Sequence, residues 1–597
     1  MLTIFPFPLW GDFRTYRWNF LWKDLQAGLF VALLSLPQAM AYSFVAELPP
    51  QVGIFSAIFG TILTSAFGAS RFLICGPTSQ SAILLQSGIS EIISAHYGTL
   101  TGTDRDIIAI NILVQIVLIS GIFQILGGLV RLGRLMQFIS HSVLIGYTIG
   151  VAVAIMMTQA FPFFGLASSA GYHPIFEEFW LFIQNFPSLH IRTTLLGVVC
   201  LTLFIVSNRY SKKGLIPIMI LIFAALIVYF FNLSPGNSQG ITDVPLGQKV
   251  EKITILKDLG PINVDNPKLI LPSLDIRIIG MILPLSLAIA LLGVLQATAI
   301  GRSYTRSNEP LYNDNQELYG LGVSNILISF VGAMPSAGSF ARSSINHSAG
   351  AKTRLAAIFS GIILLLTVIF LGPLVARIPL TALSAMMFLN AYSLMNFKDL
   401  FVCMRATRSD AFILIITFCA CILFSFDMAL YIGIAVSIVL YLKQAGVPLL
   451  IEYAFTSTGK LRPLDPEDER ADSRIAIFQA EGELFFAAAD LLQTKLRLAS
   501  EDDAIKIVIL QLLNARYIDA SICIALKNIY GYLKGNHKIL MISGVTKEVY
   551  EALEGSGIVS KVGPGNLFMA NEQLPSEPTR NAYALAKSYL SNSPWGP

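Results

Sequence analysis

Apolar runs about 20 residues long, enough to span a hydrocarbon core, recur through the first 450 residues. They begin near Asp24, Gly53, Ile107, Leu135, Thr193, Leu215, Arg277, Leu355, Leu380, Asp410 and Met428. Two shorter, broken apolar segments follow Gly76 and Gly338, and another runs from about Gln316 to Val331. The pattern predicts about fourteen membrane segments within residues 24–450. Beyond that the period changes. Arg474–Gln479, Ile505–Leu512 and Lys538–Ile542 read as strands, and Ala488–Ser500, Ser521–Leu533 and Thr546–Glu554 as helices. Such alternation predicts a soluble α/β domain over residues 473–571, one sheet covered by helices. Residues 451–472 read as a linker. Residues 572–597, rich in Ser, Pro and Asn, read as a loose tail. Residues 1–23 read as a cytosolic, aromatic segment lying on the membrane surface.

Composition sharpens this picture. Hydrophobic residues make up 54% of the 597 and charged residues 13%, against about 25% charged in soluble proteins. A soluble enzyme, a disordered chain and a secreted disulfide scaffold are excluded. The last 147 residues hold 33 charged side chains and the first 450 hold 45. The C-terminal part is slightly acidic, so nucleic-acid binding is not expected. The six cysteines lie mostly in apolar runs. No disulfide framework, metal site or cofactor is expected. HExxH, GxSxG and Walker patterns are missing from the sequence, which argues against an enzyme.

Short basic loops carry Arg131 and Arg134, Arg209 with Lys212 and Lys213, Arg302 and Arg306, Lys352 and Arg354, and Lys398 with Arg405 and Arg408. By contrast, residues 161–190 contain neither Lys nor Arg. Basic loops favour the cytoplasm. The alternation predicts a multi-pass protein of the plasma (inner) membrane with both termini cytoplasmic.

The two broken segments carry the chemistry. Gly76-Pro77-Thr78-Ser79-Gln80-Ser81 opens one, and Gly338-Ser339-Phe340-Ala341-Arg342-Ser343 opens the other. Each follows a long apolar run and one intermediate span. Such pairs point to an inverted-repeat transporter and its binding site. Arg342 sits in an apolar segment without an acidic residue within ten positions on either side. A charge at that depth is kept for function or for pairing; the alternative is a residue at the membrane boundary that orients the segment. Helix N-termini offer free N–H groups and a positive dipole end. Two facing N-termini, the hydroxyls of Thr78, Ser79 and Ser339, and one guanidinium would make an anion site. Gln38 and Tyr42, four apart on one face beyond Pro37, would donate to the anion and wall it; Gln38 could instead bond another helix. Gln296 is a neutral polar residue within the eighth span, either in the pore or in an interhelical bond. Glu309, Asp314 and Glu317 lack metal-ligand spacing and read as a solvated loop and helix cap.

At this point the chain resembles the sulfate permease family of anion transporters. The matching stretches are Pro37-Gln38-Ala39-Met40-Ala41-Tyr42, Pro49 to Gly53, Phe67 to Arg71, Gly76-Pro77-Thr78, Ala299 to Arg302, Asn315 to Leu318, Gly338 to Ser343 and Gly350 to Thr353. The C-terminal part looks like a STAS domain through Glu481 to Phe486 and Tyr517 to Ser521. The resemblance implies a fold of fourteen spans in a seven-plus-seven inverted repeat, uracil-permease-like, with a core moving against a gate, and homodimers. It implies an anion pocket between the third and tenth segments and the first span. Gln38, Tyr42, Thr78 and the run Ser339, Phe340, Ala341 and Arg342 match its positions. Many relatives carry an acidic residue at Gln296, which is associated with cation coupling, and several carry Ser at Ala341. The stretch around Gln296 resembles the sulfate-transporting branch, so sulfate is the expected substrate. Bicarbonate or dicarboxylate carriage, or anion sensing through the STAS domain, are the alternatives. Ser521 aligns with a serine phosphorylated in anti-sigma-factor antagonists; the alternative is that the fold keeps this loop without phosphorylation. The domain is expected to support the dimer or dock a cytosolic protein.

Overall fold

The computed structural model describes the chain apart from residues 1–6, 99–101, 134–139, 167–174, 211–214, 232, 234–252, 260–268, 273–274, 305–311, 446–448, 456–460, 465–469, 471, 482–483, 500, 513–514, 516, 572 and 593–597. Arg134, Lys212, Lys213, Arg306, Glu309, Gly482, Glu483 and most of the loop between Asn232 and Asp275 therefore lie outside the described residues. The chain divides into two units, 1–437 and 438–597.

The first unit opens with a short helix α1 (Leu9–Thr15), then α2 (Trp18–Val45), α3 (Pro50–Phe55), a π-helical turn (Ser56–Gly60) and α4 (Thr61–Phe67). A two-residue strand β1 (Cys75–Gly76) leads into α5 (Ser79–His96), followed by α6 (Gly102–Leu129), α7 (His141–Phe164), α8 (Ile175–Asn185), α9 (Ile191–Tyr210) and α10 (Leu215–Phe230). The second half repeats the order: α11 (Ile279–Tyr304), α12 (Asp314–Ser329), β2 (Ala337–Gly338), α13 (Phe340–Ser348), α14 (Leu355–Val375), α15 (Leu380–Leu394), α16 (Phe397–Ala406), α17 (Arg408–Leu423) and α18 (Phe426–Ala445). Among the described residues, six helical segments are long and apolar enough to cross a membrane, one of them the continuous run of α3, the π turn and α4, and α8 with α9 forms a pair bent by 118°. The others are shorter or broken; α15 and α17 fall short of the spans of about 20 residues that the apolar runs predict. The structure adds α1, α8 and α16, none of which the sequence pattern predicts.

Close packing sorts these helices into two bundles. In one, α6 lies on α12 and α2 on α14. Their backbones touch where side chains are missing: a Cβ on Gly121 would meet the Gly322 carbonyl at 2.8 Å, and one on Gly28 the Ala356 carbonyl at 2.8 Å. α3, α4, α5, α11 and α13 complete this bundle. In the other, α7 packs against α15 and α17, and α15 against α9. Each bundle thus takes corresponding segments from both halves, which is the arrangement of an inverted repeat.

Residues 9–16 depart from the surface-lying segment the sequence suggests. Leu9 is buried in a cluster with Ala66 and Leu355, flanked by Tyr16, Phe67 and Phe359, and Asp12 pairs with Arg354 at 2.7 Å. Trp10, Trp18 and Trp22 remain exposed. The aromatic segment is therefore amphipathic and docked on α4 and α14 by its other face.

The second unit is a six-stranded sheet, described on its own. β3 (Leu449–Phe455), β4 (Leu461–Pro463), β5 (Ile475–Glu481), β6 (Ile507–Gln511), β7 (Ile539–Val545) and β8 (Leu567–Met569) lie in the order β4-β3-β5-β6-β7-β8. β5 to β8 run parallel, whereas β3 is antiparallel to both neighbours. Parallel strands need both faces covered. α19 (Ala489–Ala499), α20 (Ala520–Gly535), α21 (Lys547–Gly555) and α22 (Ile558–Val562) supply Leu492, Leu526, Ile529, Leu553 and Ile558 to one face. Two corrections follow. The stretch read as a linker, 451–472, holds most of β3 and all of β4. Within 572–597, read as loose, α23 (Glu577–Asn592) packs Ala582, Ala586 and Leu590 on Ile475, Ile477, Ile507, Ile509 and Met541. The apolar stripe of α23 is narrow and its remaining residues polar, so composition masks it, yet Ile507 and Ile509 of the buried strand β6 demand a cover on this face.

Candidate functional site

The site is built where the two broken segments meet. Gly and Pro before each helix stop the chain from continuing as helix, and β1 pairs antiparallel with β2, Cys75 opposite Gly338 and Gly76 opposite Ala337. Backbone bonding extends the crossing, since Ser339 N donates to the Ile74 carbonyl at 3.0 Å. Behind it, a Cβ on Gly338 would lie 2.9 Å from Ala297 Cα of α11, so only glycine fits.

Each strand hands over to a capped helix. Thr78 caps α5 in a reciprocal box with Ser81, and the Ser339 Oγ accepts from Arg342 N at 3.5 Å. In α13 the first intrahelical bond runs from Ser343 N to the Ser339 carbonyl at 2.9 Å. The N–H groups of Phe340 and Ala341 precede it and stay available to a ligand. Both residues are exposed, Ser339 is half-buried, and Thr78 and Ser79 are buried. The α13 end of the crossing is therefore open and the α5 end closed.

Arg342 turns the other way. It is 1% exposed, and its Nη2 donates to the Pro77 carbonyl at 2.8 Å. The guanidinium lies so close to Gly76 that a Cβ there would be 2.5 Å from Nη1. The Arg342 Nε has no partner, and no carboxylate pairs with the group among the described residues. Gln38 and Tyr42 of α2 are also buried. Tyr42 lies within electrostatic range of Arg342, and the Gln38 Oε1 is unbonded. Gln296 lines a cavity of about 10 Å³ with Thr78, Ser81 and Ser336. Its Oε1 is unpartnered as well. Ser521 belongs to the second unit, in the first turn of α20 behind the Asp519 cap, which accepts from Ile522 N at 3.0 Å and from Phe486 N at 2.6 Å.

A shell of charge, buried at Glu317, Asp24, Asp12 and Arg354 and partly exposed at the Asp314–Arg302 pair, holds the loops that carry both half-helices. Glu317 is 1% exposed. It accepts from Ala69 N and Ser70 N at 2.9 and 3.0 Å, rather than facing solvent. Asp314 pairs with Arg302 at 2.7 Å. Asp24 accepts from Lys352 N at 2.6 Å and Thr353 Oγ1 at 2.7 Å. Arg354 bridges Asp12 and the Ala69 carbonyl, each at 2.7 Å. The signal was available: each charge adjoins a Gly-containing loop in an otherwise apolar region.

Residues 21–417 match the sulfate permease family, and residues 468–573 match the STAS domain. The chain belongs to the sulfate permease family. It is a multi-pass membrane anion transporter and not an enzyme. Its relatives include sulfate transporter 4.1, chloroplastic, of Arabidopsis thaliana, 28% identical over 591 residues that cover 95% of this chain and 81% of the relative. The structure of the murine solute carrier 26 family member A9 anion transporter, in the inward-facing state, superposes with a TM-score of 0.85 at 17% identity over 98% of this chain and 94% of that one. The transmembrane domain of the cyanobacterial bicarbonate transporter BicA matches with a TM-score of 0.57 at 20% identity, covering 71% of this chain and 98% of that domain. These two likenesses establish the fold, a helical membrane domain with the STAS sheet after it.

Proposed function

We propose that the protein carries sulfate across the plasma membrane by alternating access, with both termini in the cytoplasm. The observation that carries this reading is Arg342, a buried guanidinium without a carboxylate partner beside two helix N-termini. A buried charge needs a counter-charge, and a small dianion supplies it. Ser339 Oγ–H and the Phe340 and Ala341 N–H groups donate to the anion. Gln38 and Tyr42 wall the site from α2, and Thr78 and Ser79 bring the second dipole end. Arg342 acts as the fixed charge across the crossing. The bundle holding α2, α5, α11 and α13 moves as the core against the α7–α15–α17 bundle as the gate. Gln296 is a neutral amide and holds no proton, so uptake does not need a proton gradient through it. The sulfate transporters among the relatives favour sulfate over bicarbonate or a dicarboxylate. The STAS domain supports a homodimer or docks a cytosolic protein.

The test is uptake of labelled sulfate into liposomes holding the purified protein. Wild-type protein is expected to show saturable uptake indifferent to an inward proton gradient, and Arg342→Ala, folded by size exclusion, none. Wild-type uptake by the folded variant would overturn the assignment. Competition by bicarbonate or a dicarboxylate, stronger than by sulfate, would move the substrate.

A further inference from the structure

From its capped end α5 runs away from the crossing to the exposed Ser94. One face of it is unlike the rest. Leu285 of α11 packs on Gly88, where a Cβ would clash with its side chain. At about 100° per residue, Ser90 lies about 160° round the helix from Gly88. Ser79, Ile83, Ser87, Ser90 and Ser94 fall on that far side, at spacings of three or four. Ser87 and Ser90 are 2% and 4% exposed, and neither hydroxyl has a partner. This is unusual, because a helical serine in an apolar interior ordinarily bonds back to the carbonyl one turn earlier. Two more unpartnered hydroxyls stand on the helices packed against α5: Tyr147 on α7, 1% exposed, and Ser286 on α11, fully buried. Leaving four buried hydroxyls without bonds costs stability.

We infer that the Ser87–Ser90 face of α5, a helix that packs on α7 of the other bundle, lines the path by which a small oxyanion travels between the crossing and the Ser94 end of α5. This rests on the transport reading above. The face offers neutral donors and no fixed cation. It therefore binds an anion weakly and lets it leave, as a path needs, whereas the Arg342 region holds it. Because α5 belongs to one bundle and α7 to the other, the same hydroxyls become accessible when the bundles part.

The test uses the full-length protein in liposomes with Ser87→Ala, Ser90→Ala, their double variant, and Ser87→Cys and Ser90→Cys. Removing an unpaired buried hydroxyl leaves folding neutral or improved, so the alanine variants separate path from packing. The double alanine variant is expected to lower maximal sulfate uptake about tenfold, the loss of one charge-assisted bond in transit, while equilibrium sulfate binding stays unchanged. The cysteines are expected to react with a small anionic methanethiosulfonate more slowly when sulfate is present. Wild-type protein, whose exposed cysteine is Cys419, sets the background. Unchanged maximal uptake together with cysteines that never react would overturn the path. Normal uptake by Arg342→Ala would instead overturn the site, so the two failures are separable.

Discussion

Gly76→Ala isolates what holds Arg342 in place. The added Cβ would sit 2.5 Å from Nη1 and 3.3 Å from Cζ and Nη2. Normal contact begins near 3.5 Å, so the guanidinium must retreat by about 1 Å. It has nowhere to go without lengthening its 2.8 Å bond to the Pro77 carbonyl, since the side chain is fully enclosed. A hydrogen bond from a charged donor is worth about 1.5–3 kcal/mol, which corresponds to roughly 10- to 150-fold. The backbone adds to this, because Gly76 has φ +155°, where a side chain is strained by about 1–3 kcal/mol. The expected result is a folded, less heat-stable protein with sulfate affinity reduced by that factor. Liposome uptake gives the apparent KM, and unfolding in detergent gives the stability. The decisive comparison is a double-mutant cycle with Arg342→Ala, read from equilibrium sulfate binding and from unfolding in detergent, because that variant is not expected to transport. If the methyl acts through the guanidinium, Gly76→Ala adds little in that background. Wild-type affinity in the single variant, or additive losses in the double, would refute the reasoning.

Asp24→Ala strands Lys352 N, Thr353 N and the Thr353 hydroxyl in the interior; a loss of about 3 kcal/mol or more should appear as a lower unfolding temperature in detergent, with Asp24→Asn milder. Asp12→Ala leaves the Arg354 guanidinium buried without its carboxylate, at a cost of about 3–5 kcal/mol, and proteolysis should then cut the N-terminal segment sooner than in wild type. Leu590→Ala removes a buried contact between α23 and the sheet and should destabilise the STAS domain by about 2–5 kcal/mol. An unchanged unfolding transition there would mean that α23 is not a structural part of the domain.

The membrane segments were legible because a hydrocarbon solvent imposes one rule on every residue that faces it, and the apolar runs record that rule directly. The broken segments were legible too, since Gly-Pro-Thr and Gly-Ser before apolar residues stop and restart a helix wherever they occur. β5, β6 and β7 of the STAS sheet could be read from unbroken apolar stretches. β3, β4 and α23 could not. β4 and α23 mix polar and apolar positions, β3 follows soon after the apolar run of α18, and all three hold their shape because the sheet offers an edge and an uncovered face.

The sequence by itself determined that Arg342, Thr78 and Ser339 stand beside two helix starts in an apolar region, and that some anion-like counter-charge is called for. Only the tertiary structure decided that the two starts are tied by Cys75 and Gly338 into one short sheet, and that Arg342 reaches across to Pro77 while the Phe340 and Ala341 amides stay open. It alone decided that Glu317 is an interior anchor for Ala69 and Ser70. The reason is range. Helix breaks and caps are set by neighbours within four residues, whereas these contacts join residues some 250 or more positions apart, and no local pattern encodes which distant loop will supply a partner.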